Sequence, residues 1–182
     1  MQEIEVKARV QNAEGLKAAL VLRGVHLTEP KTQHDTIYTE GDWEFVKFQN
    51  ERNILRIREQ GESSVLTLKR PGVNELHSIE HETVIANVKE MHEILLLMGY
   101  KPIVEVKKKR QKGHFQDMEI CLDEVEGIGV FVEVERLLES DKDVEKVQEE
   151  LFVFLEELGV AREDRETRGY DTLARLKQEG NL

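Results

Sequence analysis

Charged and apolar residues alternate with period two at the start of the chain. In EIEVKARV, Ile4 and Val6 fall between Glu3, Glu5 and Lys7. This period belongs to a β-strand whose two faces meet different surroundings, and it predicts a strand over 2–10. Further strands are read at 33–39, 54–59 (ILRIRE), 65–70 (VLTLKR), 78–85 (SIEHETVI), 103–115 (IVEVKKKRQKGHF), 118–125 (MEICLDEV) and 130–137 (VFVEVERL). EQGESS and EGIG have turn composition, and 41–53 reads as a loop or hairpin.

Between these runs the period changes to three and four. Leu16, Ala19, Leu20 and Arg23 predict a helix over 13–23, with Asn12 as its N-cap and Gly24 as its stop. Asn87 and Glu90 stand in capping-box spacing at the head of a helix over 87–99 that ends at Gly99. Ser140 and Asp143 can cap a helix over 141–158 that ends at Gly159, and a short helix over about 170–179 follows. Three Glu-x-Glu strands (EIE, IEHE, VEVE) thus each lead to a helix that stops at a glycine. Their spacing is irregular, so the chain is not a repeat array. The pattern predicts one α+β domain over 1–182, with antiparallel strands and helices packed outside.

Parity then sorts the charges. Glu3, Glu5 and Lys7 share a face opposite Ile4 and Val6; Arg56 and Arg58 oppose Leu55 and Ile57; Lys69 and Thr67 oppose Leu66 and Leu68. Glu80 and Glu82 share a face, Asp123 opposes Ile120 and Leu122, and Glu133 and Glu135 oppose Val132 and Val134. In KKKR, bases fall on both faces. A sheet with its back to water would tolerate such faces. A closed antiparallel β-barrel of about eight strands would turn them inward, around water or a ligand, because burying unpaired ions costs several kcal/mol each. The pattern alone leaves both open. If Lys108 and Arg110 join the set, seven carboxylates meet six cations, an excess of one negative charge. A triphosphate with two divalent ions would enter at little change in charge. Carboxylate ligands suit Mg2+ or Mn2+. Internal salt bridges with a purely structural role are the alternative.

Composition narrows the partners. The net charge of −11 argues against nucleic acid and anionic membranes. Cys121 is the only cysteine, which excludes an intrachain disulfide and a thiolate zinc site. No apolar run approaches the ~20 residues of a membrane span, and no secretory signal opens the chain, so a cytoplasmic location is expected. Trp43, Phe45 and Phe48 are expected to pack on the rim of a barrel rather than to stack on a base. The six histidines show no metal-binding spacing, GIG at 127–129 reads as a hairpin turn, and Tyr170 is given no role.

Six motifs stand in one order: Glu3-x-Glu5-x-Lys7, Arg56-x-Arg58, Lys69 in LTLKR, Glu80-x-Glu82, Lys108-x-Arg110, and LDEVEGIGVFVEVE with Asp123, Glu133 and Glu135. From residue 3 to about 173 the chain resembles the CYTH family, the triphosphate tunnel metalloenzymes that include class IV adenylyl cyclases and thiamine triphosphatases. The resemblance implies a barrel forming a charged tunnel, and it turns Lys108 and Arg110 inward. It implies Mg2+ or Mn2+ on Glu3, Glu5, Asp123, Glu133 and Glu135, with Glu80 and Glu82 in support. It implies triphosphate on Lys7, Arg56, Arg58, Lys69, Lys108 and Arg110, and catalytic work at Glu3, Glu5, Lys7 and Glu133. No His, Ser or Cys nucleophile is required. Ala8 after Lys7, and the stretch LDEVEGIGVFVEVE, resemble the cyclase branch, so conversion of ATP to cyclic AMP and pyrophosphate is expected. The alternatives are hydrolysis of thiamine triphosphate or inorganic triphosphate, and a non-catalytic triphosphate-binding module. The family commonly dimerises, so a homodimer is an expected state. A lysine at Glu133 is expected to abolish turnover and leave the fold intact.

Overall fold

The computed structural model describes residues 2–40, 53–139 and 143–182. Trp43, Phe45, Phe48, the loop or hairpin at 41–53 up to residue 52, and the capping role of Ser140 lie outside the described residues. The chain divides into two compact units, residues 1–31 with 108–167, and residues 32–107 with 168–182. The strands are β1 (Gln2–Arg9), β2 (Lys31–Glu40), β3 (Ile54–Gln60), β4 (Ser63–Pro71), β5 (His77–Val84), β6 (Tyr100–Phe115), β7 (Met118–Val125), β8 (Gly129–Leu138) and β9 (Arg165–Glu166). The helices are α1 (Ala13–Leu22), α2 (Val88–Leu97), α3 (Val144–Glu157) and α4 (Tyr170–Gln178).

In the first unit the strands run in the order β6-β7-β8-β1-β9, and the pairs from β6 through β8, β1 and β9 are antiparallel. The apolar parity of β1, β7 and β8 builds its core. Ile4, Val6, Ile120, Leu122, Val132 and Val134 pack with Leu16 and Leu20 of α1 and with Leu151, Phe152 and Leu155 of α3. In the second unit β2, β3, β4 and β5 pair antiparallel in sequence order. Tyr38, Leu55 and Ile57 on their apolar face meet Ile85 and Leu95, with Val88 and Met91 of α2 packed against them. Strand β6 is sixteen residues long and supplies residues to both units.

The predicted caps are present. The side chains of Asn12, Asn87 and Asp143 accept the backbone N–H groups of Gly15, Glu90 and Lys146, each three residues on. Gly24, Gly99 and Gly159 follow α1, α2 and α3 with φ of +78°, +92° and +85°, the left-handed conformation that lets the chain leave a helix. Among the described residues no helix is long and apolar enough to cross a membrane. The two-residue β9 has too little sequence for a period and was not predicted.

Candidate active site

Both faces of β1 are covered. Ile4, Val6 and Ala8 are buried on one side, and on the other Lys7 is 1% and Glu5 7% exposed. The charged parity of this strand is therefore withdrawn from water, as the inward reading requires.

Register arranges the charges of the first unit in rows across neighbouring strands. Glu119, Glu135 and Glu5 stand directly opposite one another on β7, β8 and β1. In the next row Cys121 and Glu133 face Lys7, with Lys112 of β6 before them and Glu166 of β9 after. Arg110 and Asp123 head a third row, opposite Phe131 and then Arg9.

The middle and third rows are knitted by ion pairs. Lys7 Nζ lies 3.2 Å from Glu133 and 3.8 Å from Glu5. Arg110 donates from Nε to Asp123 Oδ1 at 2.7 Å, and from Nη2 to both Asp123 Oδ2 and Glu133 Oε2. Lys108 Nζ lies 3.6 Å from Asp123, which is fully buried. Burial opposes the charge on Glu133, yet Arg110, Lys7 and Lys108 outweigh it and hold its carboxyl well below the usual range. A lysine there would set a third cation against Lys7 and Arg110. The charge reversal that the sequence offers as a clean test would therefore strike the fold itself.

The first row, with Glu3 one step further along β1, is different. Ligand atoms of Glu3, Glu5 and Glu135 all lie within 4.8 Å of one another. Burial, then the charges of Glu3, Glu5, Glu119 and Glu133, push the Glu135 carboxyl up to about 9. Like charges directly opposite one another destabilise a sheet, so this crowding of hard oxygen donors is what a divalent ion would relieve. The residues fit Mg2+ or Mn2+. Of the expected metal ligands, the structure gathers Glu3, Glu5 and Glu135 in one group, whereas Asp123 and Glu133 stand among the cations.

The second unit carries the remaining residues. Lys69 Nζ is 3.1 Å from Glu80, and Arg56 Nη2 lies 3.6 Å from Glu80 and 3.3 Å from Glu82. Thr67 Oγ1 donates to Glu82 at 2.8 Å, and Ser78 Oγ to Glu80 at 3.1 Å. Burial raises the Glu80 carboxyl, but Lys69, Arg56 and the hydrogen bonds from Lys69 and Ser78 bring it below its ordinary value. Glu80 and Glu82 thus sit beside the cations expected to bind phosphate. Arg58 makes a two-bond fork to Asp35.

Sequence reasoning missed Glu119 and Asp35. Glu119 shares the parity of Asp123 in MEICLDEV, and that signal was available. Asp35 lies in a strand whose only apolar residues, Ile37 and Tyr38, are adjacent, so parity could not assign its faces.

The CYTH domain matches residues 1–170. A protein of Methanocaldococcus jannaschii, provisionally named adenylate cyclase, is 26% identical over 172 residues, covering 93% of this chain and 97% of its own length. The solved structure of the PH1819 protein from Pyrococcus horikoshii OT3 is 29% identical, with a TM-score of 0.76, over 97% of this chain and 99% of its own. A Hippeastrum protein, provisionally named adenylyl cyclase and described as revealing a dominant triphosphatase activity, shares the fold at 21% identity and a TM-score of 0.60, over 100% of this chain and 97% of its own. The ordered motifs, the buried charged rows and this full-length likeness agree: the chain belongs to the CYTH domain family and has its fold class, the α+β antiparallel β-barrel with helices outside.

Proposed function

We propose that this protein is a divalent-metal-dependent enzyme acting on a triphosphate, and that its reaction is the conversion of ATP to cyclic AMP and pyrophosphate. The observation that carries the reading is the group of Glu3, Glu5 and Glu135 within 4.8 Å, one strand row away from Lys7. Hard oxygen ligands stand beside a buried cation, which is what a metal-bound polyphosphate needs. Glu3, Glu5 and Glu135 would hold the ion, and Asp123 and Glu133 fix Lys7, Lys108 and Arg110 in place. A bound divalent ion supplies neutralisation of phosphate charge as the leaving group departs. Lys7, Lys108 and Arg110 would bind phosphate oxygens and hold the chain of phosphates in line with the attacking oxygen; Arg56, Arg58 and Lys69 carry the same phosphate-binding chemistry on the second unit.

In the cyclisation the ribose 3′-oxygen forms a bond to the α-phosphorus. The bond from that phosphorus to the bridging oxygen breaks, its electrons leave on pyrophosphate, and the hydroxyl proton passes to water. The name of the M. jannaschii relative and the cyclase-like opening EIEVKARV support this branch. Hydrolysis of a terminal phosphoryl group is the second reading, supported by the Hippeastrum protein, in which a cyclase name and a dominant triphosphatase activity coexist.

The test is to incubate the purified protein with ATP, inorganic triphosphate or thiamine triphosphate, each with Mg2+, Mn2+ or chelator, and to resolve products by ion exchange. Metal-dependent cyclic AMP with pyrophosphate is the expected result. Orthophosphate without cyclic nucleotide would move the protein to the hydrolase branch. No turnover, with binding retained, would leave a binding module.

A further inference from the structure

We propose that Asp35 is a positioning residue that aims the Arg58 guanidinium at the triphosphate. The inference rests on the triphosphate reading given above and adds a residue to it. Asp35 lies on β2 directly opposite Arg58 on β3. Its side chain is 5% exposed and that of Arg58 15%. Arg58 Nε donates to Asp35 Oδ1 and Arg58 Nη2 to Oδ2, each at 2.7 Å.

A guanidinium is planar and offers its N–H groups along fixed edges. Asp35 takes the Nε–Nη2 edge. The Nη1–Nη2 edge keeps the geometry that suits a second anion, and a phosphate oxygen pair fits it. Among the described residues, Asp35 is the ion-pair partner of Arg58. Arg56, two residues earlier on the same strand, is held differently, by Glu80 and Glu82 at 3.6 and 3.3 Å. The two arginines of the Arg-x-Arg motif are therefore oriented by separate means. Of the two, Arg58 is the one that the described contacts hold in a planar, nearly dry fork.

The carboxylate of Asp35 acts on a polyanion in two opposed ways. Its charge repels the phosphates, and its fork fixes the arginine that receives them. If charge dominated, neutralising Asp35 would tighten triphosphate binding. If positioning dominates, the same change weakens it, because the guanidinium is released to other rotamers and must be ordered again on binding. The sign of the effect separates the two.

The experiment is calorimetric titration of inorganic triphosphate, in the presence of Mn2+, into the wild type, Asp35→Asn, Asp35→Ala, Arg58→Ala and the Asp35→Ala/Arg58→Ala double variant. Each is checked for fold by circular dichroism. Both Asp35 variants are expected to bind about tenfold more weakly, the scale of one charge-assisted contact. The double variant is expected to bind no more weakly than Arg58→Ala, since the proposed effect of Asp35 on the triphosphate runs through that residue. Should Asp35→Ala fail to fold, Arg58→Lys keeps the charge without the fork and is expected to match Asp35→Asn. In the turnover assay KM for the triphosphate should rise while kcat stays within about twofold, as for a contact made equally in ground and transition states. Unchanged or tighter binding by Asp35→Asn overturns the proposal while leaving the triphosphate reading in place, and so does a further loss in the double variant. Failure of the wild type to bind triphosphate at all overturns both.

Discussion

Glu133 and Glu135 stand two residues apart on one face of β8 and are held in opposite charge states by their neighbours. Glu133 faces Lys7 and Arg110 and stays ionised; Glu135 faces Glu3 and Glu5 and is driven toward its neutral form. Their removal should therefore have opposite consequences. Glu133→Ala leaves Lys7 with Glu5 and Arg110 with Asp123, each one buried carboxylate short, and should cost about 3 kcal/mol, read from denaturant unfolding. For Glu135 the folded carboxyl titrates at about 9 and its ordinary value is 4.5. Between those values the unfolded chain has lost a proton that the folded chain keeps, so stability falls as pH rises across this window. In chelator, the melting temperature of the wild type should decline from pH 5 to pH 9. Glu135→Gln, neutral throughout, should flatten that decline. An equally steep decline in the variant would mean that Glu135 is not the group responsible.

At the scale of the element, the helices were the most legible part. Each predicted cap and glycine stop that lies in the described residues is formed, because capping depends on a side chain and a backbone group only three residues apart. Strand parity was legible wherever apolar positions alternate cleanly, as in β1 and β8, and illegible in β2, which is why Asp35 escaped notice. Pairing was legible only across short turns, as at GIG between β7 and β8. That Glu5, Glu135 and Glu119 share a row follows from register across three strands, and a period-two pattern says nothing about which strand lies beside which. The segment after α1 shows a similar long-range constraint. Thr28 N donates to the Lys112 carbonyl at 2.8 Å, and a Cβ on Gly113 would come within 2.7 Å of Val25 Cγ1 and 3.1 Å of Leu27 Cδ2. Gly113→Ala should therefore destabilise by about 1–3 kcal/mol through overpacking, measured by the shift in unfolding midpoint.

For the molecule as a whole, a metal ion that binds the folded chain at Glu3, Glu5 and Glu135 must add to its stability. Mn2+ at a hundredfold excess over its dissociation constant should contribute about 2.7 kcal/mol, seen as a higher melting temperature that chelator reverses. Glu3→Gln/Glu5→Gln should remove that increment, and an undiminished increment would place the ion elsewhere. Strand β6 sets a different kind of limit. Its sixteen residues alternate from Val104 to Arg110, with Lys108 and Arg110 buried and Lys107 and Lys109 exposed. Side-chain direction along a strand has a period of two, so one residue added or lost near position 107 would turn every later side chain of β6 to the opposite face. With one residue added, Lys107 and Lys109 would take the places of Lys108 and Arg110; with one lost, Lys109 and Gln111 would. Either way the arginine fork on Asp123 would be lost with no substitution made. Among natural variants of this chain, changes of length should therefore collect in the turns, and any within β6 should come in pairs of residues.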